Sequence, residues 1–426
     1  MTEGRPFAGV EVVEFGQFIA VPFCGQLLAE GGARVIKVES LDGDPVRHLA
    51  PLAPGETRHF ISRNRGKHTL PLDLKHPDAR RIIDALLAKA DVVLFNFRPG
   101  LAEELGLDYA TLSARFPRLI VGSVTGFGTR GPDAMLAGMD LVLQARSGLM
   151  ASNGRVRDGV PVPGDSPIAD YVCALSLAFG IASALLRRTA TGRGGHVEAA
   201  LFMAALLAQN NSMVRVASTD VARNDTALTQ LATLRAAGAS YEEQAETVPR
   251  PRTPAMVNIY YRTYRTKDAT VGIACVSAGI QRTLMRAVGL TDAAHTTRMD
   301  AEAQERHYAE LRVRMEAVMA SRTAAEWKEI FDQPGIPNAQ VRFNVEMFDD
   351  PHAVANSFFH DLPHPALGPI RVLAPPIRLD GDGFEPAAPT GAFASETRTL
   401  LRDLGFRDEE AEAFVKSGAT RDTPFA

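Results

Sequence analysis

The chain has 426 residues, with Lys+Arg 46 against Asp+Glu 50, a formal net charge of -4, and 46% hydrophobic and 23% charged content. That length exceeds what one hydrophobic core usually serves, so two domains, or a large domain carrying a smaller one, are expected. The near-balanced charge argues against a nucleic-acid-binding surface or a disordered tail, and a polyanionic ligand would need basic residues gathered locally. The three cysteines, Cys24, Cys173 and Cys275, lie far apart in apolar stretches, which suits buried free thiols in a reducing compartment better than disulfides or a metal site. The opening residues MTEGRPFAGVEVVEFG lack a basic region followed by an apolar core, so no signal peptide is expected. No stretch reaches the 18 to 20 uncharged apolar residues of a membrane span; residues 171 to 186 come nearest and are interrupted by Ser and Gly. A cytoplasmic protein is the expectation.

In chain order, residues 11 to 15 read as a β-branched strand, AVPFCGQLLAEGGA as a helix with a glycine stop, and RVIKVES as a second strand, one βαβ unit in about thirty residues. DARRIIDALLAKA (78 to 90) is an amphipathic helix, and strands follow at DVVLFNF (91 to 97) and LIVGSVTGFG (119 to 128). Such alternation predicts a parallel sheet covered by helices on both faces. SPIADYVCALSLAFGIASALLRR (166 to 188) predicts a helix apolar on every face and therefore buried, capped by Ser166, with Pro167 at its first position and Arg187 and Arg188 at the negative end of its dipole. TGRGGHVEAALF (191 to 202) turns into one more strand. From about 208 to 256 the texture becomes polar, Ala-rich and helical, ending in TVPRPRTPA, a boundary loop. Residues 261 to 290 read as hairpin, strand and helix, and 301 to 332 as two helices. The Pro-rich run 361 to 379 is extended, as a chain running back along its first domain would be.

Four stretches carry candidate chemistry. GFGTRGP (126 to 132) matches G-x-G-x-x-G after a strand, but Pro132 and the residues after it supply no clean helix start, so a tight turn competes with a nucleotide loop. NFRPG (96 to 100) follows a strand, and in an open parallel sheet the carboxyl ends of strands are where an adenine or phosphate group is held. SRNRGKHTLPLDLKHPDARR (62 to 81) gathers Arg63, Arg65, Lys67, Lys75, Arg80 and Arg81, either a solvated face or a phosphate-binding cluster. Asp170 falls in the first turn of the apolar helix, where the helix dipole favours a carboxylate. A buried carboxylate needs compensation or a task. One such task is covalent attack on a thioester carbonyl. No metal-ligand set accompanies it.

Taken in order, GVEVVEFGQFIAVPFCGQLLAEGGARVIKVE, NRGKHTLPLDLK, NFRPG, GFGTRGP, GMDLVLQARSGLM, IADYVCALSLAFGIASALL and TGRGGHVEAAL resemble the class III CoA-transferases, a family that also holds the α-methylacyl-CoA racemases. The likeness is dense over the first 205 residues and looser through YRTYRTKDATVGIA and HPALGPIRV. It implies an α/β fold: a large doubly wound, Rossmann-like CoA-binding domain at 1–207 and 335–426, with a smaller α+β domain at 225–330. It further implies an interlocked homodimer of ring-like subunits. The family's nucleophilic aspartate stands 21 residues before the Thr of TGRG, as Asp170 does before Thr191, which leaves Asp165 the poorer candidate.

The implied activity is transfer of coenzyme A from an acyl-CoA donor to a free carboxylic acid through an aspartyl anhydride and an aspartyl-CoA thioester. Coenzyme A thioesters are then substrates, and no cofactor, metal, nucleic acid or membrane takes part. Contacts to CoA map onto Leu72, Lys75, Asn96, Phe97 and Arg98, with Gln17, Gly138 and Asp140 near the reacting end. Two positions depart from some relatives, Glu104 and Ala137 standing where those carry basic residues. Racemases of the family use a His directly before an Asp; here it is Met139, which takes no proton. Racemase, or an acyl-CoA-binding paralogue without turnover, is the alternative. Arg47, His48, His59 and Arg146 are cations available for a second carboxylate, which points to succinate or a C4 or C5 dicarboxylic acid.

Overall fold

A computed structural model describes residues 4–248, 256–380 and 383–425; most of the TVPRPRTPA loop lies outside the described residues. The chain divides into two compact units, the first drawn from Met1–Val216, Ser240–Ala245 and His352–Ala426, the second from Ala217–Ala239 and Glu246–Pro351.

The first unit is laid down as β1 (Glu11–Phe15), α1 (Ala20–Glu30), β2 (Arg34–Glu39), α2 (Arg58–Asn64), β3 (Lys67–Pro71), α3 (Ala79–Lys89), β4 (Val92–Phe95) and β5 (Ile120–Thr125). It continues with α4 (Asp140–Ser147), α5 (Ile168–Thr191), β6 (Gly195–Ala200) and α6 (Leu201–Leu207). The six strands form one parallel sheet in the order β3-β2-β1-β4-β5-β6. Both faces are covered, and side-chain alternation sorts the strand residues between them. Val12, Val35, Val92, Leu94 and Ile120 face α1 and α5, while Val13, Ile36, Val93 and Val121 join α3 and the C-terminal residues Leu400, Leu401 and Phe414. Strand order reverses between β1 and β4, which opens a crevice at the carboxyl ends of those strands.

Helix α5 differs from its expected form in two ways. Its N-cap position is Pro167, with no side-chain capping bond, so Ser166 does not cap it. Nor is it buried all round: Cys173, Ala174, Leu177 and Ile181 pack in the core, while Leu175, Phe179 (76% exposed) and Leu186 (73%) lie bare. By length and composition it could cross a membrane, with one face lying in the unit's core.

In the second unit, β7 (Tyr261–Arg265) and β8 (Thr270–Ala274) make the expected hairpin, and a third strand, β9 (Asn338–Gln340), completes an antiparallel sheet. Helices α7 (Ala278–Ala287), α8 (Ala301–Ala320) and α9 (Ala324–Asp332) pack on it around Tyr264, Leu311, Met315, Trp327 and Phe331. The Pro-rich C-terminal run becomes an antiparallel hairpin in the first unit, β10 (Phe359–His364) with β11 (Gly368–Leu373).

Among its described residues, the second unit buries one carboxylate, Asp292, in a polar cage. It accepts hydrogen bonds from the Tyr260 hydroxyl at 2.7 Å, the Tyr308 hydroxyl at 3.2 Å and the Ala294 N–H at 2.9 Å, and lies 2.7 Å from His307 Nε2. Burial pushes the Asp292 carboxyl up, but the bonds from Tyr260, His307 and Ala294 outweigh it and hold the group below the usual carboxylate range. A depressed folded-state pKa stabilises the fold above the unfolded value, near 3.9, and the contribution is lost as pH falls through the folded value. Asp292→Ala is therefore expected to cost about 2–4 kcal/mol near neutral pH by urea denaturation. The gap from the unsubstituted chain should narrow below about pH 4; a gap that widened with acid would refute this account of Asp292.

Candidate active site

The crevice between β1 and β4 is built around one short loop, Gly16–Ile19, which joins β1 to α1. Below it, three strands each place a charged residue in the interior: Glu14 on β1, Lys37 on β2 and Lys67 on β3, all with fully buried side chains. Lys37 Nζ donates to Glu14 Oε1 at 3.1 Å and to the Gly16 carbonyl, and pairs with Asp44 at 2.9 Å. Lys67 Nζ holds Glu14 at 2.8 Å, the Pro22 carbonyl at 2.7 Å and Asn64 Oδ1 at 2.9 Å. Burial pulls Lys67 down to about 8 despite Glu14, with Lys37 adding to the drop. Burial works against Lys37 too, but Asp44, Glu14 and Glu39 together hold its amine above the usual range. Gly25 of α1 lies over this cluster because a Cβ there would fall 1.9 Å from Glu14 Oε2.

The loop is held from above as well. Asn96 Oδ1 accepts from the Gln17 N–H at 2.9 Å, and Asn96 Nδ2 donates to the Gln17 carbonyl at 2.8 Å, a two-bond clasp across the point where strand order reverses. Phe18 takes a left-handed backbone with φ 65°, a conformation that costs a non-glycine residue about 1–2 kcal/mol. Its N–H donates to Asp44 Oδ1 at 3.4 Å.

On one side of the loop opens a cavity of about 340 Å³, lined by Phe15, Gln17, Ser40, Leu72, Lys75, Phe97 and Leu101 among others. It joins four of the expected residues, Gln17, Leu72, Lys75 and Phe97. Phe97 stacks on Phe95 with centroids 5.0 Å apart and leans on Phe15 at 5.8 Å, leaving an aromatic wall. Asn96 is spent on Gln17, and Arg98 is exposed and outside the lining.

On the other side lies Asp170, buried in the first turn of α5 and outside that cavity's lining. Asp140 Oδ1 accepts from the Ala169 N–H at 2.9 Å and the Asp170 N–H at 3.2 Å, and Asp140 Oδ2 accepts from Gln144. Asp140, thirty residues earlier, is therefore the side chain that caps α5. It stands beside Asp170 because the GMD loop crosses the glycine turn after β5: a Cβ on Gly138 would sit 2.5 Å from the Gly126 Cα, and one on Gly126 2.8 Å from the Gly138 Cα. The G-x-G-x-x-G match is thus a crossing point and a turn, with Gly128 and Gly131 at positive φ. Burial and then the Asp140 carboxylate push Asp170 up to about 7, against the Arg63 charge and a hydrogen bond from the Ala20 backbone. The expectation that the dipole keeps Asp170 ionised is corrected: the helix N-terminus is taken by Asp140.

Several expected cations are structural. Arg65 pairs with Glu30 at 2.8 Å, Lys67 with Glu14, and Arg80 with Asp84 at 3.1 Å, so the basic run is mostly engaged in ion pairs. Arg47, expected to be available to substrate, is fully buried, forks onto Glu39 at 2.7 and 2.8 Å, and stacks on Phe60. Arg146 pairs with Asp133, and His48 Nε2 lies 2.8 Å from the Asp42 carbonyl. Sequence reasoning missed Glu14, Lys37 and Asp44 as supports of the site; the signal for the first two was a charge in the middle of each strand run, VEVVEF and RVIKVE, while Asp44, in the loop after the second run, gave none.

The model of CoA-transferase family III matches residues 7–392. The cinnamoyl-CoA:phenyllactate CoA-transferase of Clostridium sporogenes is 28% identical over 425 residues, 96% of each chain. The succinyl-CoA:glutarate CoA-transferase of Mus musculus is 28% identical over 423 residues, 97% of this chain and 90% of that protein. Among solved structures, the orthorhombic form of Rv3272 from M. tuberculosis superposes with a TM-score of 0.75 at 26% identity, over 93% of this chain and 99% of that one.

Proposed function

The chain belongs to CoA-transferase family III, and from that premise we propose that it moves coenzyme A from an acyl-CoA donor to a free carboxylic acid with Asp170 as covalent nucleophile. An Asp170 oxygen attacks the donor thioester carbonyl, the C–S bond breaks, and a mixed anhydride forms with CoA thiolate as leaving group. The thiolate then attacks the Asp170 carbonyl carbon and releases the donor acid, leaving an aspartyl-CoA thioester. The acceptor carboxylate reverses the sequence: it attacks that thioester, and the freed thiolate takes the acceptor acyl group and returns Asp170 as a carboxylate. Each step exchanges acyl derivatives of similar energy, so one hard transfer becomes several easier ones. The steps need no permanently held cofactor.

One observation carries this reading: a buried carboxylate, raised to about 7 and touched by the Ala20 backbone, sits at the far end of the loop whose Gln17 lines the aromatic-walled cavity. Leu72 and Phe97 there suit adenine, and Lys75 suits a phosphate. The acceptor we assign is a dicarboxylic acid, on the strength of relatives such as the mouse succinyl-CoA:glutarate enzyme. The racemase alternative finds no support, since Met139, directly before Asp140, carries no titratable group. Three buried free thiols suit a reducing cytoplasm. We further assign a homodimer, because Leu175, Phe179 and Leu186 form a bare apolar stripe along α5 of a kind a second copy would cover.

Incubation with succinyl-CoA, then digestion and mass spectrometry, should find a CoA adduct on the peptide holding Asp170, and Asp170→Ala should lose adduct and transfer activity together. Only the ionised carboxylate attacks, so adduct formation should rise with pH along one titration near 7. Full activity in Asp170→Ala, or a rate that falls as pH rises through 7, would contradict the mechanism. Sedimentation equilibrium should return twice the chain mass of 45.9 kDa, and Phe179→Asp should shift it toward the monomer; a monomeric parent chain would remove the dimer assignment.

A further inference from the structure

The site gathers negative charge. Asp140 and Asp170 stand side by side, and in the reaction proposed above a third carboxylate, that of the acceptor acid, must come within bonding distance of the Asp170 carbonyl carbon. Two anions a few ångströms apart repel unless a cation lies between or beside them. Most basic residues around the site already hold a carboxylate: Lys37 and Lys67 hold Glu14, Arg47 holds Glu39, and Arg65 holds Glu30.

Among the buried cations of the described residues, Arg63 is the exception. It sits at the end of α2, 6% exposed, with no carboxylate among the described residues within ion-pair distance. Its Nη1 donates to the His59 carbonyl of its own helix at 3.1 Å and lies 3.5 Å from His59 Nδ1. Its Nε is buried and has no hydrogen-bond partner. A buried N–H of a guanidinium left without an acceptor is costly, and the fork of Nε and Nη2 is the edge that matches the two oxygens of a carboxylate. The guanidinium charge also reaches Asp170, drawing its titration down against burial and Asp140.

We infer that Arg63 seats the carboxylate of the acceptor acid beside Asp170, its free guanidinium edge holding the acid while one acid oxygen attacks the aspartyl-CoA thioester. In that step a bond forms between the acid oxygen and the Asp170 carbonyl carbon, the C–S bond breaks, and the electron pair leaves with the CoA thiolate. Arg63 gives and takes no proton. It offsets the repulsion between the arriving anion and Asp140, and it fixes the acid's orientation. This inference rests on the covalent reading above and adds to it the residue that recognises the acid.

The two are separable by experiment. The intact enzyme and the variants Arg63→Gln and Arg63→Lys are each charged with succinyl-CoA and checked for the aspartyl-CoA adduct by mass, then titrated with glutarate in the steady state. The expected result is adduct in all three. The glutarate concentration for half-maximal rate should rise about 10- to 100-fold in Arg63→Gln, the loss expected when a charge-assisted hydrogen bond is removed. Part of it should be recovered in Arg63→Lys. Adduct in Arg63→Gln together with unchanged glutarate saturation overturns the inference and leaves the covalent reading standing. Absence of adduct from the unsubstituted enzyme overturns both. If Arg63→Gln fails to fold, Arg63→Lys decides alone: glutarate saturation equal to that of the unsubstituted enzyme overturns the inference, and a rise supports it.

Discussion

Glu14 lies in the middle of a six-stranded parallel sheet with two lysine ammonium groups on it, and the geometry of the site depends on that contact. Burying three charges is expensive, and removing one partner from such a cluster typically costs 3–5 kcal/mol because the others are left uncompensated. What the cluster supplies is position. Lys37 reaches the Gly16 carbonyl and Lys67 the Pro22 carbonyl, so the two ends of the β1–α1 connection are fixed to the sheet by ion-paired lysines. Asn96 and Asp44 fix the middle, and the left-handed Phe18 is the local strain that this over-determined loop tolerates. From this one segment Gln17 faces the cavity and the Ala20 backbone meets Asp170.

The second consequence concerns how reactive Asp170 is. A carboxylate in the first turn of a long helix would ordinarily gain from the dipole, yet here the free N–H groups of that turn go to Asp140. Asp170 is left with burial, a like charge beside it and little to offset them, so it titrates near neutrality. A more basic carboxylate is a better nucleophile when ionised. It is also a poorer leaving group from the anhydride, so a pKa near 7 divides the difficulty between formation and breakdown of the covalent intermediates.

Much of the fold was legible because a parallel sheet covered on both faces writes itself as β-branched runs between amphipathic helices. The runs around residues 11 to 15, 34 to 39, 92 to 95 and 120 to 125 all became strands of one sheet. Asp170 was legible as a carboxylate out of place in an apolar helix. What failed were inferences from local pattern to environment. Ser166 and Pro167 look like a cap, but the cap comes from Asp140, whose distance in sequence hides the contact. Arg65 and Lys67 look like a solvated or phosphate-binding run, but the α2–β3 turn delivers them into the core onto acids from α1 and β1. The helix at 168–191 is apolar on every face, yet only one face meets the core of its unit. Arg63 lay in the same basic run, and what separates it from Arg65 and Lys67 is that its buried guanidinium holds no carboxylate among the described residues.

Coenzyme A transfer by direct displacement and transfer through Asp170 differ in where the oxygens of the acceptor acid end up. In the covalent route the acid bonds to the Asp170 carbonyl carbon through one of its own oxygens, and that oxygen stays behind on Asp170 when the thiolate takes the acyl group. The direct measurement is turnover with glutarate carrying oxygen-18 in both carboxyl groups, followed by mass analysis of the peptide that holds Asp170. One oxygen-18 atom, located to Asp170, is predicted after a single turnover and two after many, because each cycle sends one of the two Asp170 oxygens out with the donor acid and takes one from glutarate. Labelled glutaryl-CoA formed at full rate, with no label in the peptide, would contradict it.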